Sequence, residues 1–391
     1  MIQDDLAFRG LKVLDMAQGV AGPHCGLLLA QHGADVVKLE PLDGDWGRAL
    51  GKRYGDLSAF GAVYNRGKRS IAVDLKAPEG LAVARKLAAE ADVILESFRP
   101  GVMGRFGLDY ETVAKVNPTV VYLSVSGYGQ KGPNSKQPVT DSVMQAFSGL
   151  MSVNKDDRGV PQRIGVIAID VFTGLYAFQA VAPALYRRSR VGKGAHLDVS
   201  LMQSALAFLS AKMIERHLEG PEPTLLGAPL GTYRTADGFL NMNARRDQHF
   251  TALMGLIGRP ELAADPRYRT PDARVQNRES LDAVIRPALR EQPTASWLAA
   301  FGEADILAGR VNDFPDILED AHVQAVAAVR WLDHAGIGSI PMPLIPGAPV
   351  PEGALSLAPA LGANTTEILQ DLGYDQSQIT SLIESGAARA V

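Results

Sequence analysis

Asp170 is the residue best placed for bond-making chemistry. It lies in IGVIAIDVFTG, residues 164–174, between an apolar run and an apolar helical stretch. A carboxylate there can serve as a covalent nucleophile. With a reference pKa of about 3.9 it is ionised at neutral pH and needs no histidine to activate it. That suits a chain whose histidines (His24, His32, His196, His217, His249, His322 and His334) are scattered outside any Ser-His-Asp or Cys-His pattern. Aspartate is also a favoured helix N-cap. The two readings are compatible, because a cap can face a cleft.

Two segments concentrate positive charge. Residues 65–76 (NRGKRSIAVDLK) hold Arg66, Lys68, Arg69 and Lys76 against one acid, Asp74. Residues 96–108 (ESFRPGVMGRFGL) add Ser97, Arg99 and Arg105. Such islands bind anions or form solvated basic surface. Three glycines, Gly19, Gly22 and Gly26, punctuate QGVAGPHCG, residues 18–26. Glycine lets backbone approach a ligand, and free N–H groups at a helix start attract phosphate. Glu40 imitates the ribose-binding acid of dinucleotide folds, but the glycines do not follow G-x-G-x-x-G. A further loop, SGYGQKGPN at residues 126–134, reads equally as a surface turn or a ligand-facing loop. The chain carries no zinc-protease, EF-hand or P-loop pattern, and its single cysteine, Cys25, excludes an internal disulfide and a cysteine metal cluster. No metal is expected.

These residues need a frame. Apolar runs at 11–16, 35–40, 70–75, 92–96, 120–125 and 195–200 read as buried strands. Helical patterns follow at 23–32 and at 79–91, the second opened by Pro78. Strands alternating with helices imply βαβ units and a parallel sheet. Both basic segments then fall near the carboxyl ends of strands, where ligands bind in open α/β sheets. Residues 140–151, 171–188 and 201–218 read as helices. The Pro/Gly-rich GPEPTLLGAPLG marks a boundary near 220, and TYRTADGFLNMN reads as a hairpin turning at Asp237-Gly238. Residues 247–325 read mostly as short helices, and short strands return from about 329. Helices at 365–372 and 377–385 follow.

With 391 residues, 39 Lys+Arg and 43 Asp+Glu, the net charge is −4. That argues against a basic nucleic-acid binder. The N-terminal residues lack a signal-peptide pattern, and the apolar stretch 164–186 is interrupted by Asp170, Gly174 and Pro183. The expectation is a cytoplasmic protein without membrane or nucleic-acid partners.

The loops, taken in order, resemble one family. AGPHCGLLLAQHGADVVKLE, NRGKRSIAVDLKAPEG, ADVILESFRPGVMGRFGLDYETVAKVNPTVVYLSVSGYGQKGP, AIDVFTGLYAFQAVAPALYRRSRVGKGAHLDVSLMQSALAF and LGANTTEILQDLGY are together similar to class III CoA-transferases of the carnitine and formyl-CoA type. The resemblance implies that Asp170 is the nucleophile, forming an aspartyl anhydride and then an aspartyl-CoA thioester. It implies coenzyme A or acyl-CoA as substrate rather than a prosthetic group. It further implies that Val73 and Lys76 line the nucleotide site, and that Ser97, Phe98, Arg99 and Arg105 form a second wall. Val20 and Ala21 approach from the first loop, and Asp141 lies near the nucleophile. The family often has asparagine where Ser97 stands.

Racemases of the same family carry a histidine just before the acid matching Asp141; here Thr140 stands there, which favours transfer over α-methylacyl-CoA racemisation. Formyl-CoA:oxalate transferases carry a glycine run, and residues 225–260 hold none, which disfavours oxalate as acceptor. The implied fold is a Rossmann-like parallel-sheet large domain built from both chain ends, residues 1–220 plus 326–391. A smaller α+β domain is inserted at 221–325. Two such chains form an interlocked homodimer.

Overall fold

The computed structural model describes residues 6–156, 158–220, 226–350 and 353–391. The chain divides into two compact units, Met1–Ala211 with Ala328–Val391, and Lys212–Ala327.

The larger unit is organised by a seven-stranded sheet. Six strands are parallel: β1 (Lys12–Asp15), β2 (Asp35–Glu40), β3 (Arg69–Val73), β4 (Val93–Glu96), β5 (Val121–Ser126) and β6 (Ala195–Ser200). Their spatial order is 3-2-1-4-5-6, the doubly wound arrangement. A seventh strand, Ala388–Arg389, runs antiparallel along the outer edge of β3. Val13 pairs with Val36 on one side and Val93 on the other. These three face one buried layer, while Leu14, Val37 and Ile94 face the opposite layer. Burial on both faces explains why the central strands read as continuous apolar runs.

Helices cover both faces. One layer includes α1 (Ala21–Gln31), α2 (Asp141–Phe147), α3 (Ala168–Val191) and α4 (Leu201–Phe208). The other contains Pro78–Glu90 and the helices Thr365–Asp371 and Gln376–Glu384. α1 begins at Ala21, two residues before the expected start, so Pro23 sits in the first turn, where its missing N–H breaks no helical bond. α3 is long and apolar enough to span a membrane by length and composition. Here its Ala177, Val181 and Leu185 are buried in the core beside α1, and Gly192, in the left-handed region, ends it.

Two expected helices are broken. The pattern at 140–151 splits at Gly149, whose φ of 88° starts a separate short turn, Leu150–Val153. The pattern at 201–218 splits at Leu209, leaving Ser210–Glu219 as a separate helix without a buried residue.

The smaller unit holds a three-stranded antiparallel sheet, with Phe239–Asn243 between Leu230–Arg234 and Leu307–Arg310. The expected hairpin is present; Thr235 N–H bonds Gly238 O at 2.9 Å across its turn. The third strand, fully exposed, carries no strand periodicity in its sequence LAGR. Short helices pack Phe250, Leu253, Leu281, Ile285, Trp297 and Phe301 against the sheet.

Candidate active site

In a 3-2-1-4-5-6 sheet, the chain leaves β1 and β4 in opposite directions, and a crevice opens at their carboxyl ends. The turn after β1 lies there. Its Gln18 N–H bonds Ser97 Oγ at 2.8 Å, joining the exits of the two strands. Gly19 takes a φ of 81°, and a Cβ would enter the Trp46 ring, so glycine is required twice over. Val20, Ala21 and Gly22 open α1, and among the described residues their N–H groups have no acceptor.

Beneath this turn lies a buried ion cluster. Lys68 Nζ bonds Asp15 Oδ2 at 2.7 Å and Pro23 O at 2.8 Å. Lys38 Nζ pairs with Asp45 Oδ2 at 3.0 Å and donates to Ala17 O. Asp15 Oδ1 accepts from Ala17 N–H, and Asp45 Oδ1 from the Gly19 and Gly47 N–H groups. Burial alone would lower the Lys38 ammonium, but Asp15, Asp45 and Glu40 carry it above its ordinary value. Glu40 is consumed by a two-point pair with Arg48, at 2.6 and 2.7 Å, and by Ser70 Oγ. It has no oxygen left to act as the ribose acid its position suggests.

The basic island is largely neutralised. Lys68 is internal, and Arg69 is paired with Asp35, Glu367 and Asp371. Arg66 is 1% exposed, and burial holds its guanidinium below the usual range. Arg69 keeps a quarter of its side chain in solvent, and Lys76 is the most exposed of the four. With Val73, Leu39, Phe98 and Phe106 it lines a cavity of about 400 Å³. Arg99 borders a neighbouring cavity of about 560 Å³, and Arg105 stands exposed on the short helix Val102–Phe106.

Asp170 occupies the first turn of α3 and is partly exposed. It does not cap the helix. Asp141, 8% exposed, does so from α2: its Oδ2 accepts from the Ile169 N–H at 2.6 Å and the Asp170 N–H at 3.1 Å. Gln145, one turn along α2, donates to Asp141 Oδ1 at 2.6 Å and accepts from the Ile164 N–H at 2.9 Å. Loss of hydration, and secondly the charge of Asp141, push the Asp170 carboxyl up to about 7. The reference value read from the sequence therefore does not hold in the fold. The first turns of α1 and α3 meet beside it. His24 Nδ1 lies 3.2 Å from Val171 O, and Gly174 leaves the space its ring fills. The His24 ring packs on Tyr64, 5.3 Å between centroids. Burial and the charge of Asp170 push the Tyr64 phenol up to about 12. Thr140 precedes α2 with its hydroxyl 3.3 Å from Ser142 Oγ.

The structure thus joins Asp141 to Asp170, Ser97 to the Val20–Ala21 turn, and Val73 and Phe98 to Lys76. Sequence reasoning missed Gln145, His24, Tyr64, Asp15, Lys38 and Asp45. Charged residues inside apolar strand patterns, as in LKVLDM and DVVKLE, were the available signal for the ion cluster.

The doubly wound sheet, the crevice at its switch point and a carboxyl raised by burial on a helix start define an α/β enzyme with a candidate carboxylate nucleophile. Residues 8–365 match CoA-transferase family III, and the chain belongs to that family. It is 35% identical over 389 residues to the succinyl-CoA:glutarate CoA-transferase of Mus musculus, covering 96% of this chain and 89% of that protein. It is 37% identical over 351 residues to the acetyl-CoA:oxalate CoA-transferase of Acetobacter aceti, covering 88% of each. A crystal structure of a CAIB/BAIF family protein from Brucella suis superposes with a TM-score of 0.83 at 34% identity, covering 93% of this chain and 98% of that one. The chain is accordingly a class III CoA-transferase.

Proposed function

We propose that this enzyme moves CoA from an acyl-CoA thioester to a dicarboxylic acid, with Asp170 as the covalent carrier. The observation that carries the proposal is the partly exposed Asp170 carboxyl, raised to about 7 where two helix N-termini meet. A carboxylate of that basicity is a better nucleophile than an ordinary one and is still substantially ionised at neutral pH. It attacks the thioester carbonyl, CoA thiolate leaves, and an aspartyl–acyl anhydride forms. The thiolate then attacks the Asp170 carbonyl, releasing the donor carboxylate and leaving an aspartyl-CoA thioester. The acceptor carboxylate attacks that thioester and frees the thiolate. The thiolate attacks the acceptor's carbonyl, giving the new acyl-CoA and returning Asp170.

Each tetrahedral oxyanion needs preorganised donors. The unengaged N–H groups of Val20, Ala21 and Gly22 are available for that role. Val73, Phe98 and Lys76 are assigned to the nucleotide half of CoA, with Arg99 and Arg105 beside them, whereas Ser97, expected in that wall, is assigned to the first turn, whose Gln18 N–H it holds. No prosthetic group takes part, and the setting is the cytoplasm.

Glutarate, oxalate and citramalate appear in the relatives' names, which supports a dicarboxylic acceptor. We further propose the interlocked homodimer, with the smaller unit as an inserted domain. Support comes from exposed apolar residues along α3 and α4: Leu175, Tyr186, Val191 and Phe208.

The test is a matrix of acyl-CoA donors against free acids, oxalate included, scored for new thioesters. It is paired with hydroxylamine trapping read by mass spectrometry. Trapping converts Asp170 to a hydroxamate if the reading holds. Full transfer by Asp170→Ala overturns it.

A further inference from the structure

The ion cluster under the first turn grips that turn's backbone at both ends. Lys38 holds Ala17 O and Lys68 holds Pro23 O. Asp15 takes Ala17 N–H, Asp45 takes Gly19 N–H, and Ser97 takes Gln18 N–H. Among the described residues nothing holds the next three N–H groups, those of Val20, Ala21 and Gly22. The side chains of Asp15, Lys38 and Lys68 have no solvent contact, and that of Asp45 almost none.

The buried charges balance: Asp15, Glu40 and Asp45 face Lys38, Arg48 and Lys68, and the half-exposed Asp56 meets Arg48 from outside. A buried set of this kind is a costly way to stabilise a fold, since apolar residues of similar volume often do as well or better. Its bonds do one thing apolar packing cannot do, which is to fix the orientation of individual peptide groups in a turn.

We propose that Asp15, Lys38, Asp45 and Lys68, with Ser97, are positioning residues for CoA transfer. They immobilise the Ala17–Pro23 backbone so that the free N–H groups at the start of α1 stay in the geometry that stabilises the transition state. The proposal rests on the reading of Asp170 as nucleophile. A preorganised donor contributes because it does not have to reorient as charge develops. If the turn relaxes, binding of the CoA nucleotide by other residues persists, while the chemical step slows.

The test is the double variant Asp15→Asn with Lys68→Met. It keeps the cluster neutral and keeps an oxygen for the Ala17 N–H, but it releases Pro23 O. Melting temperature, kcat, KM for acyl-CoA and the rate of hydroxylamine trapping are measured against wild type. The expected result is wild-type melting and KM, with kcat and trapping rate down by about 10–100-fold, the scale of a small misplacement at a reacting centre. A folded double variant with wild-type kcat overturns the proposal.

Should the double variant not fold, Ser97→Ala decides, because it frees only the N–H and C=O of Gln18 and leaves the ion cluster whole. A fall in kcat of about 3–10-fold at unchanged KM and melting supports positioning. An unchanged kcat, or a rise in KM alone, overturns it. Failure of the underlying reading is separable. In that case wild type itself yields no hydroxamate at Asp170, and the variants are judged on kcat for net transfer.

Discussion

Replacing Asp170 with asparagine should make the protein more stable while removing its activity. The carboxyl is an ordinary acid in the unfolded chain and is raised to about 7 in the folded one. Below roughly pH 4 it is protonated in both states and contributes no difference. As pH rises from 4 to 7 the unfolded chain ionises first, so folding is penalised progressively, and above 7 the penalty is constant. A shift of about three units corresponds to roughly 4 kcal/mol. The side chain keeps some solvent contact, so screening reduces this to about 2 kcal/mol. A chain of this length unfolds with roughly 0.8 kcal/mol/K, so Asp170→Asn should melt about 2–3 °C higher at pH 8. The advantage should shrink by at least about a quarter at pH 5. Calorimetry of both proteins at the two pH values, with a transfer assay, makes the measurement. An equal advantage at both pH values, or a less stable variant at pH 8, refutes the argument that burial beside Asp141 sets the energetics of this carboxyl.

Three other outcomes follow from the geometry. The rate of trapping at Asp170 should rise through an apparent pKa near 7, and Asp141→Asn should move that inflection downward, since a negative neighbour disfavours ionisation; an unmoved pH profile counts against it. Gly174→Ala places a methyl against the His24 ring and should destabilise the fold by about 1–3 kcal/mol, as read by urea titration. The pair Gly174→Ala with His24→Gly, which also removes the His24 Cβ 2.6 Å from the new methyl, should recover part of that loss. Light scattering should give a mass of roughly twice 41.7 kDa, and Phe208→Glu, at an exposed apolar position on α4, should shift the protein toward monomer.

Element types were legible where local pattern and tertiary role coincide. Buried parallel strands read as apolar runs, and the order of loops along the chain carried the family. Helix breaks were hidden, because apolar spacing continues through Gly149 and Leu209 while the backbone does not. For the basic island the obstacle is distance along the chain. Lys68 pairs with Asp15 across 53 positions and Arg69 with Asp371 across 302, so a local count of basic residues could not distinguish ligand-binding cations from internal ones. Asp170 looked like a cap because its own turn was all that the sequence displayed. The actual cap, Asp141, comes from 29 positions earlier on another helix. The raised pKa of Asp170 is a product of that same convergence.

The strand Ala388–Arg389 has a consequence for how the molecule comes into being. It covers the outer edge of β3, and Thr365 and Asp74 tie it down through Arg389 O and Ala387 O. β3 is made early in synthesis, whereas its covering strand emerges only after all of Lys212–Ala327. At about 5–20 residues per second, a ribosome leaves that edge uncovered for tens of seconds. Throughout that time the nascent chain presents unpaired strand backbone beside an apolar core, the exposure that invites pairing with a neighbouring chain. The larger unit therefore cannot finish folding as a cotranslational module ahead of the smaller one. Its sheet is sealed last, by residues translated after the smaller unit is complete.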